Sequence, residues 1–202
     1  MKRYILIFVV LAVLAFLYFP VFKGNTPDLR DIGKELNKTD IGGKIGDMKL
    51  TSAAFENGGK IPSKYTCDGD NINIPLSWSG VPAETKSLVL IMDDPDIPDS
   101  VKKSRGIEVF DHWVAFNIPP ADTGIPEGKE PNGVLGSNGA GKTGYTGPCP
   151  PDREHRYFFK LYALDTTLSI PAGGTKKEVL DAMDGHIIAQ TELMGFYDRI
   201  KK

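Results

Sequence analysis

Three separated stretches carry most of the chemistry in this chain. They are Asp93-Asp94-Pro95-Asp96, Asp111-His112-Trp113, and Gly147-Pro148-Cys149-Pro150-Pro151 followed by His155-Arg156-Tyr157. Each places an ionisable side chain where a strand meets a loop. Brought to one end of a sheet, two histidines, paired aspartates and a tyrosine make a small polar pocket suited to a phosphate-like anion. A phosphate monoester carries close to two negative charges and three acceptor oxygens. His112 and His155 can donate to it, and backbone N–H groups of the Gly147–Pro151 loop can add an anion nest. Aspartates repel phosphate, so three other tasks are open to them. Asp94 orients and charges a histidine, an aspartate shares a proton with the phosphate, or a carboxylate receives a head-group ammonium.

The elements that must position these residues are readable in part. Ser87–Met92 is a short continuous apolar run, the signature of a buried strand. His112–Ile118 follows, with Trp113, Ala115 and Asn117 on one face and Val114, Phe116 and Ile118 on the other. Arg156–Leu164 also alternates: Tyr157, Phe159, Leu161 and Ala163 against Phe158, Lys160, Tyr162 and Leu164. Shorter strands are expected at Met48–Thr51 and Leu76–Trp78. Thr175-x-x-Glu178 is a capping box that opens a helix, with Gly185 as its stop. His186–Met194 reads as a second helix packed through Ile187, Ile188 and Leu193. The connection Pro119–Glu154 is long and aperiodic, and its prolines and Tyr145 mark it as ordered. If the first two strands are antiparallel neighbours, Asp94 and His112 share one end of the sheet. A crossover through the long connection lets the third strand start there too and brings in His155, whereas an antiparallel third strand would send His155 to the other end.

Composition narrows the class. Among 202 residues, 24 basic side chains nearly balance 26 acidic ones, and no basic stripe lies outside the termini. That argues against a nucleic-acid partner. Met1-Lys2-Arg3 precedes an apolar run from Tyr4 to Phe22, broken only by Pro20. Its length suits a membrane-spanning helix, and the basic flank predicts the following domain outside the cytoplasm. A cleaved signal peptide is the rival, although no small-x-small site follows the run. The chain therefore divides into an anchor or signal segment (1–22), a polar linker (23–46) carrying the sequon Asn37-Lys38-Thr39, and a globular domain (47–202). In an oxidising compartment the two cysteines, Cys67 and Cys149, are able to pair. Both sit in polar, loop-like sequence, which favours the bridge over two half-buried thiols.

The ordered set of motifs resembles the phosphatidylethanolamine-binding protein family, in its bacterial and archaeal, Raf kinase inhibitor-like branch. It takes in Asp94-Pro95-Asp96-x-Pro98, Asp111-His112-Trp113-Val114, Asn117-Ile118-Pro119, Gly147–Pro151, His155-Arg156-Tyr157, Tyr65–Gly69, Tyr145 and Gly185-His186-Ile187. The resemblance implies a mainly β fold with flanking helices. A large central antiparallel sheet packs on a smaller sheet, and a parallel strand pair is reached by a long crossover. It also implies a ligand-binding cavity for phosphate, acetate or phosphorylethanolamine. Asp94, Asp96, His112, Tyr145, Pro150, His155 and Tyr157 carry over as its residues, and neither cofactor nor catalysis is implied. This sequence departs from the pattern in its N-terminal apolar segment and in the charged residues Asp152, Arg153 and Glu154 before His155.

The expected function is non-catalytic binding of a small anion or phospholipid head group by a domain tethered at the outer membrane surface. The alternative is a regulatory protein that inhibits a kinase or protease through the surface around the pocket. A hydrolase using Cys149 with a histidine, and a zinc site built from the His and Asp set, are weaker rivals. Gly136–Thr143 matches the phosphate-loop pattern of nucleotide hydrolases. Its neighbours, Glu130–Gly133 before and Gly144–Pro148 after, are not the strand and helix that the motif needs.

Overall fold

In the computed structural model, which describes residues 48–199, the strands are β1 (Lys49–Thr51), β2 (Gly59–Lys60), β3 (Leu76–Ser79), β4 (Ser87–Asp94), β5 (Phe110–Ile118), β6 (Gly124–Ile125), β7 (Val134–Leu135), β8 (His155–Leu164) and β9 (Ile187–Tyr197). The helices are α1 (Asp99–Arg105) and α2 (Lys176–Met183), and Ser63–Tyr65 forms a 3-10 turn. The Tyr4–Phe22 run, the linker and the Asn37 sequon lie outside the described residues. The larger sheet has the order β2-β9-β8-β4-β5-β7, and a smaller one has the order β1-β3-β6. All neighbours are antiparallel except β2 and β9, which are parallel.

The apolar run of β4 reflects its place in the middle of the larger sheet, where both of its faces are covered. Leu88, Leu90 and Met92 join Trp113, Ala115, Tyr157, Phe159 and Leu161 in a core shared with Leu50, Leu76 and Trp78 of the smaller sheet. Val89 and Ile91 point the other way, onto Val114, Phe116 and the α2 residues Val179 and Met183. Helix α2 starts as its sequence predicts. The Thr175 hydroxyl accepts from the Glu178 amide at 3.3 Å, and the Thr175 amide donates to Glu178 Oε2 at 2.7 Å. Asp184 is its C-cap, and Gly185, at φ 75°, turns the chain out of it.

Two local expectations fail. His186–Met194 is not a helix: β9 pairs along ten residues of β8, from Ile187 against Leu164 to Tyr197 against His155. Ala189, Leu193, Gly195 and Tyr197 are buried at strand spacing. The open edge of β8 supplies backbone partners, and the β-branched Ile187, Ile188 and Thr191 suit a strand. Ile187, Ile188 and Leu193 fit both periods, so tertiary pairing decides. In β5, Ile118 lies with Ala115 and not with Phe116. A register shift sets Leu88 against Ile118 but Leu90 against Ala115. Asn117 takes up the extra residue at φ 54°. Its amide side chain bonds both backbone groups of Leu168, at 2.9 and 2.8 Å, which holds this left-handed conformation.

The topology brings the three polar stretches together. Strands β5 and β8 flank β4 and both run against it. Register pairs Asp94 with Phe110 and Asp93 with Phe158. The start of β5, the start of β8 and the end of β4 therefore share one end of the sheet, with the long connection as the crossover. The phosphate-loop look-alike has no helix after it. Asn138 closes it as a turn, accepting from the amides of Ala140 and Lys142 and donating to Gly144 O and Thr146 Oγ1.

Candidate functional site

Where those strand ends meet, a cavity of about 180 Å³ opens. Asp94, His112, Pro150 and His155 line it with Thr146, Gly147, Cys149 and Pro151. The opposite wall is α1 and its flanks: Ile97, Pro98, Val101, Arg105 and Phe110. Pockets that take drug-sized molecules are usually about 300–1,000 Å³, so this one suits a head group and not a whole lipid.

Asp94, 3 % exposed, places Oδ2 2.7 Å from His155 Nδ1, while its Oδ1 accepts from the Asp96 amide at 2.7 Å. Burial pushes its carboxyl above the usual range, and the His155 ring opposes that shift. The second His155 nitrogen, Nε2, lies 2.8 Å from Asp152 Oδ1. A carboxylate lies against each ring nitrogen, so both contacts act as hydrogen bonds when His155 is imidazolium or a carboxyl holds the proton.

His112 behaves differently. Its Nδ1–H donates to the Thr146 carbonyl at 2.7 Å. Burial lowers its pKa to about 4, so the ring is neutral at neutral pH and Nε2 is an acceptor. The expectation that both histidines donate to an anion is corrected here: His112 offers a lone pair, because its one proton is already used. Phe110 and Tyr157 pack on this ring at 4.8 and 5.2 Å.

The proline-bounded wall is pinned to the segment around Tyr65. Cys67 and Cys149 form a disulfide, as the sequence favoured, and the Cys67 amide donates to Pro148 O at 3.1 Å. The Gly147 amide donates to Asn71 Oδ1 at 2.9 Å. A Cβ at Gly147 would collide with the Tyr65 carbonyl and the Asn71 side chain. These contacts remove most of the expected anion nest: Gly147 is engaged, three of the next four residues are prolines, and the Cys149 amide faces the Tyr157 hydroxyl.

The other expected site residues lie beside the cavity and not on its wall. Asp96 is taken by Arg156, whose Nε and Nη2 donate at 2.8 and 2.7 Å and whose amide donates at 3.0 Å. This pairing holds the Asp96 carboxyl down at about 2. Tyr145 donates its hydroxyl to the Tyr65 carbonyl at 2.8 Å and stands edge-on to Trp113. Tyr157 is fully buried beneath both histidine rings, and its hydroxyl faces the Cys149 amide without making a well-formed hydrogen bond among the described residues.

Sequence reading missed α1 and Asp152. Helix α1 had a readable signature. Pro98 precedes it, Asp99 is in its first turn, and Lys102, Lys103 and Arg105 lie in its last before Gly106 at φ 65°. Arg105 stacks on Phe110 at 5.6 Å and donates to the Gly139 carbonyl at 2.8 Å. Among the described residues, no group of three His, Cys, Asp or Glu side chains is arranged to hold a metal ion. Cys149, bonded to Cys67, has no thiolate to serve as a nucleophile.

Comparisons with known proteins agree with the residues. A profile described as phosphatidylethanolamine-binding protein matches residues 51–198. A protein of Methanothermobacter thermautotrophicus called UPF0098 protein is 52% identical over 158 residues, covering 75% of this chain and 99% of its own. The crystal structure of a phosphatidylethanolamine-binding protein homolog from Chlamydia trachomatis aligns at TM-score 0.72 and 50% identity. That alignment covers 76% of this chain and 99% of the other. E. coli YbcL, described as a new member of the mammalian family, aligns at TM-score 0.68 and 30% identity, over 77% and 100%. The chain belongs to the phosphatidylethanolamine-binding protein family.

Proposed function

We propose that this domain binds a small phosphate-bearing group, such as a phospholipid head group, without catalysis. The observation that carries the reading is the convergence of Asp94, His112, Pro150 and His155 on one small cavity. Each group has a distinct part in it. His155 supplies an N–H donor, oriented from behind by Asp94. His112 supplies an acceptor for a phosphate O–H or a head-group ammonium. Arg105 brings a positive charge to the wall. A group with both a phosphate and a donor therefore fits better than a bare dianion. The disulfide at Cys149 supports a non-catalytic role and an exported location. The apolar run Tyr4–Phe22 supports tethering at the outer membrane surface.

A second reading, a regulator acting on a protein partner, draws on α1. None of its residues is buried, and its last turn carries Lys102, Lys103 and Arg105 beside the cavity.

Calorimetry with inorganic phosphate and with phosphoethanolamine tests the first reading. His155→Ala and His112→Ala should each weaken binding at least about tenfold, one charge-assisted hydrogen bond. Affinity unchanged by both substitutions would sink it.

A further inference from the structure

The His155 nitrogen that a ligand needs is already occupied by the chain itself. Nδ1 faces Asp94 and Nε2 faces Asp152 Oδ1, at 2.7 and 2.8 Å. The two carboxylates are held very differently. The Asp94 side chain is 4 % exposed and is fixed by the Asp96 amide. The Asp152 side chain is 39 % exposed, and its other oxygen accepts from the solvent-exposed Arg153 guanidinium at 2.7 Å. Asp152 can leave the ring and keep Arg153 as a partner. Asp94 cannot leave without giving up its backbone donor and stranding a buried imidazole.

From this we infer that Asp152 is a tethered competitor, a carboxylate of the same chain that sits in the anion position on His155 and must be displaced by the ligand. The inference rests on the binding reading above and concerns which anions that site admits. A tethered group competes at an effective concentration of about millimolar or more. A free carboxylate offers His155 the same two oxygens and the same single charge, so it gains nothing by the exchange. A phosphate monoester brings more charge and a third oxygen. Exchange of Asp152 for a phosphate is therefore favourable where exchange for acetate is not, and the site becomes selective for phosphoryl groups. The charged Asp152-Arg153-Glu154 segment, a departure from the family pattern, acquires a role in this way.

The test uses the full chain and two probes, inorganic phosphate and acetate, with Asp152→Ala and the near-isosteric Asp152→Asn beside the wild type. Removing the competitor should tighten phosphate binding about tenfold. Acetate binding should become measurable in the Ala variant at concentrations where the wild type shows none. The 15N resonance of His155 Nε2 should shift in both variants before any anion is added, while the melting temperature stays within about two degrees. Phosphate affinity that is equal or weaker in Asp152→Ala, with the wild type binding and His155→Ala not, overturns this inference alone. If neither the wild type nor any variant binds phosphate, the anion-binding reading falls and takes the inference with it.

Discussion

Asp93 and Asp94 are neighbours on β4 and almost equally buried, at 4 % and 3 % exposure, yet the fold uses them in opposite ways. Successive side chains of a strand point to opposite faces. Asp93 meets two ammonium groups, Lys160 Nζ at 3.1 Å and Lys176 Nζ at 3.3 Å, and Lys176 also reaches Asp111 at 2.7 Å. Asp94 meets one imidazole at the rim of a cavity. An ammonium group has only donors, so the two lysines can do no more than hold their carboxylate. An imidazole has two ring nitrogens, and here the one that faces the exposed Asp152 can change partners. Burial of an acid therefore does not mark a site; what matters is whether its partner can be exchanged.

The contrast is broken most strongly by cutting the covalent support that only the Asp94 side has. The Cys67–Cys149 bridge closes a loop with a sequence separation of 82. Its removal by paired Cys→Ser substitution should destabilise the domain by about 4–5 kcal/mol in the chain-entropy model, read as a lower urea midpoint. The wall around Gly147 loses its anchor, so phosphate affinity should fall as well. An unchanged midpoint would show that the backbone hydrogen bonds from Cys67 and Gly147 hold the wall unaided.

Acid should act next, and again on this side first. The unfolded His112 ring takes up its proton near pH 6.5 and the folded ring near pH 4. Between those values the unfolded chain binds more protons, so stability falls as the pH is lowered through the window. The contribution is fully present above about pH 6.5, and about 3 kcal/mol is lost by pH 4. His112→Gln, which cannot titrate, should flatten that part of a stability-versus-pH curve. A slope identical to the wild type would assign the acid sensitivity elsewhere.

Asp93→Ala probes the other face. It leaves the Lys160 and Lys176 ammonium groups without their shared partner. Breaking a fully buried pair costs about 3–5 kcal/mol. These lysine side chains keep 32 % and 16 % of their exposure, so solvent screening reduces the expected loss to about 1–3 kcal/mol. Phosphate affinity should stay within about twofold, whereas Asp94→Ala should abolish it. Equal loss of affinity in both variants would erase the distinction between the two carboxylates.

The strands that carry this contrast were legible because their alternation is dictated by burial. Tyr157, Phe159, Leu161 and Ala163 face the core shared by the sheets, as their spacing says. The convergence of Asp94, His112 and His155 was legible as a condition on strand direction, which the crossover satisfies. The rest depended on contacts distant in sequence. β9 looked helical until β8 offered it an edge, and Ile118 changed face because Asn117 found the backbone of Leu168. Asp152 was visible only as an unusual charge before His155. Nothing in the local pattern says that its carboxylate folds back onto the ring three residues later.

The smallest expected effect separates two tyrosines that the family motif treats alike. Tyr145 has a partner for its hydroxyl, the Tyr65 carbonyl at 2.8 Å, whereas the buried Tyr157 hydroxyl faces the Cys149 amide without a well-formed bond among the described residues. Deleting a satisfied hydroxyl removes a hydrogen bond worth about 1 kcal/mol. Deleting a poorly satisfied buried one removes a polar group from which the fold gains little. Tyr145→Phe should therefore lower stability by about 1 kcal/mol and leave phosphate affinity alone. Tyr157→Phe should leave stability unchanged or slightly raised and weaken phosphate binding severalfold. The second result would mean that the hydroxyl, set against the Cys149 amide, keeps the proline-bounded wall and the two rings in place for the ligand. A Tyr157→Phe protein that binds phosphate as well as the wild type would make that hydroxyl a defect of packing and confine recognition to the histidines.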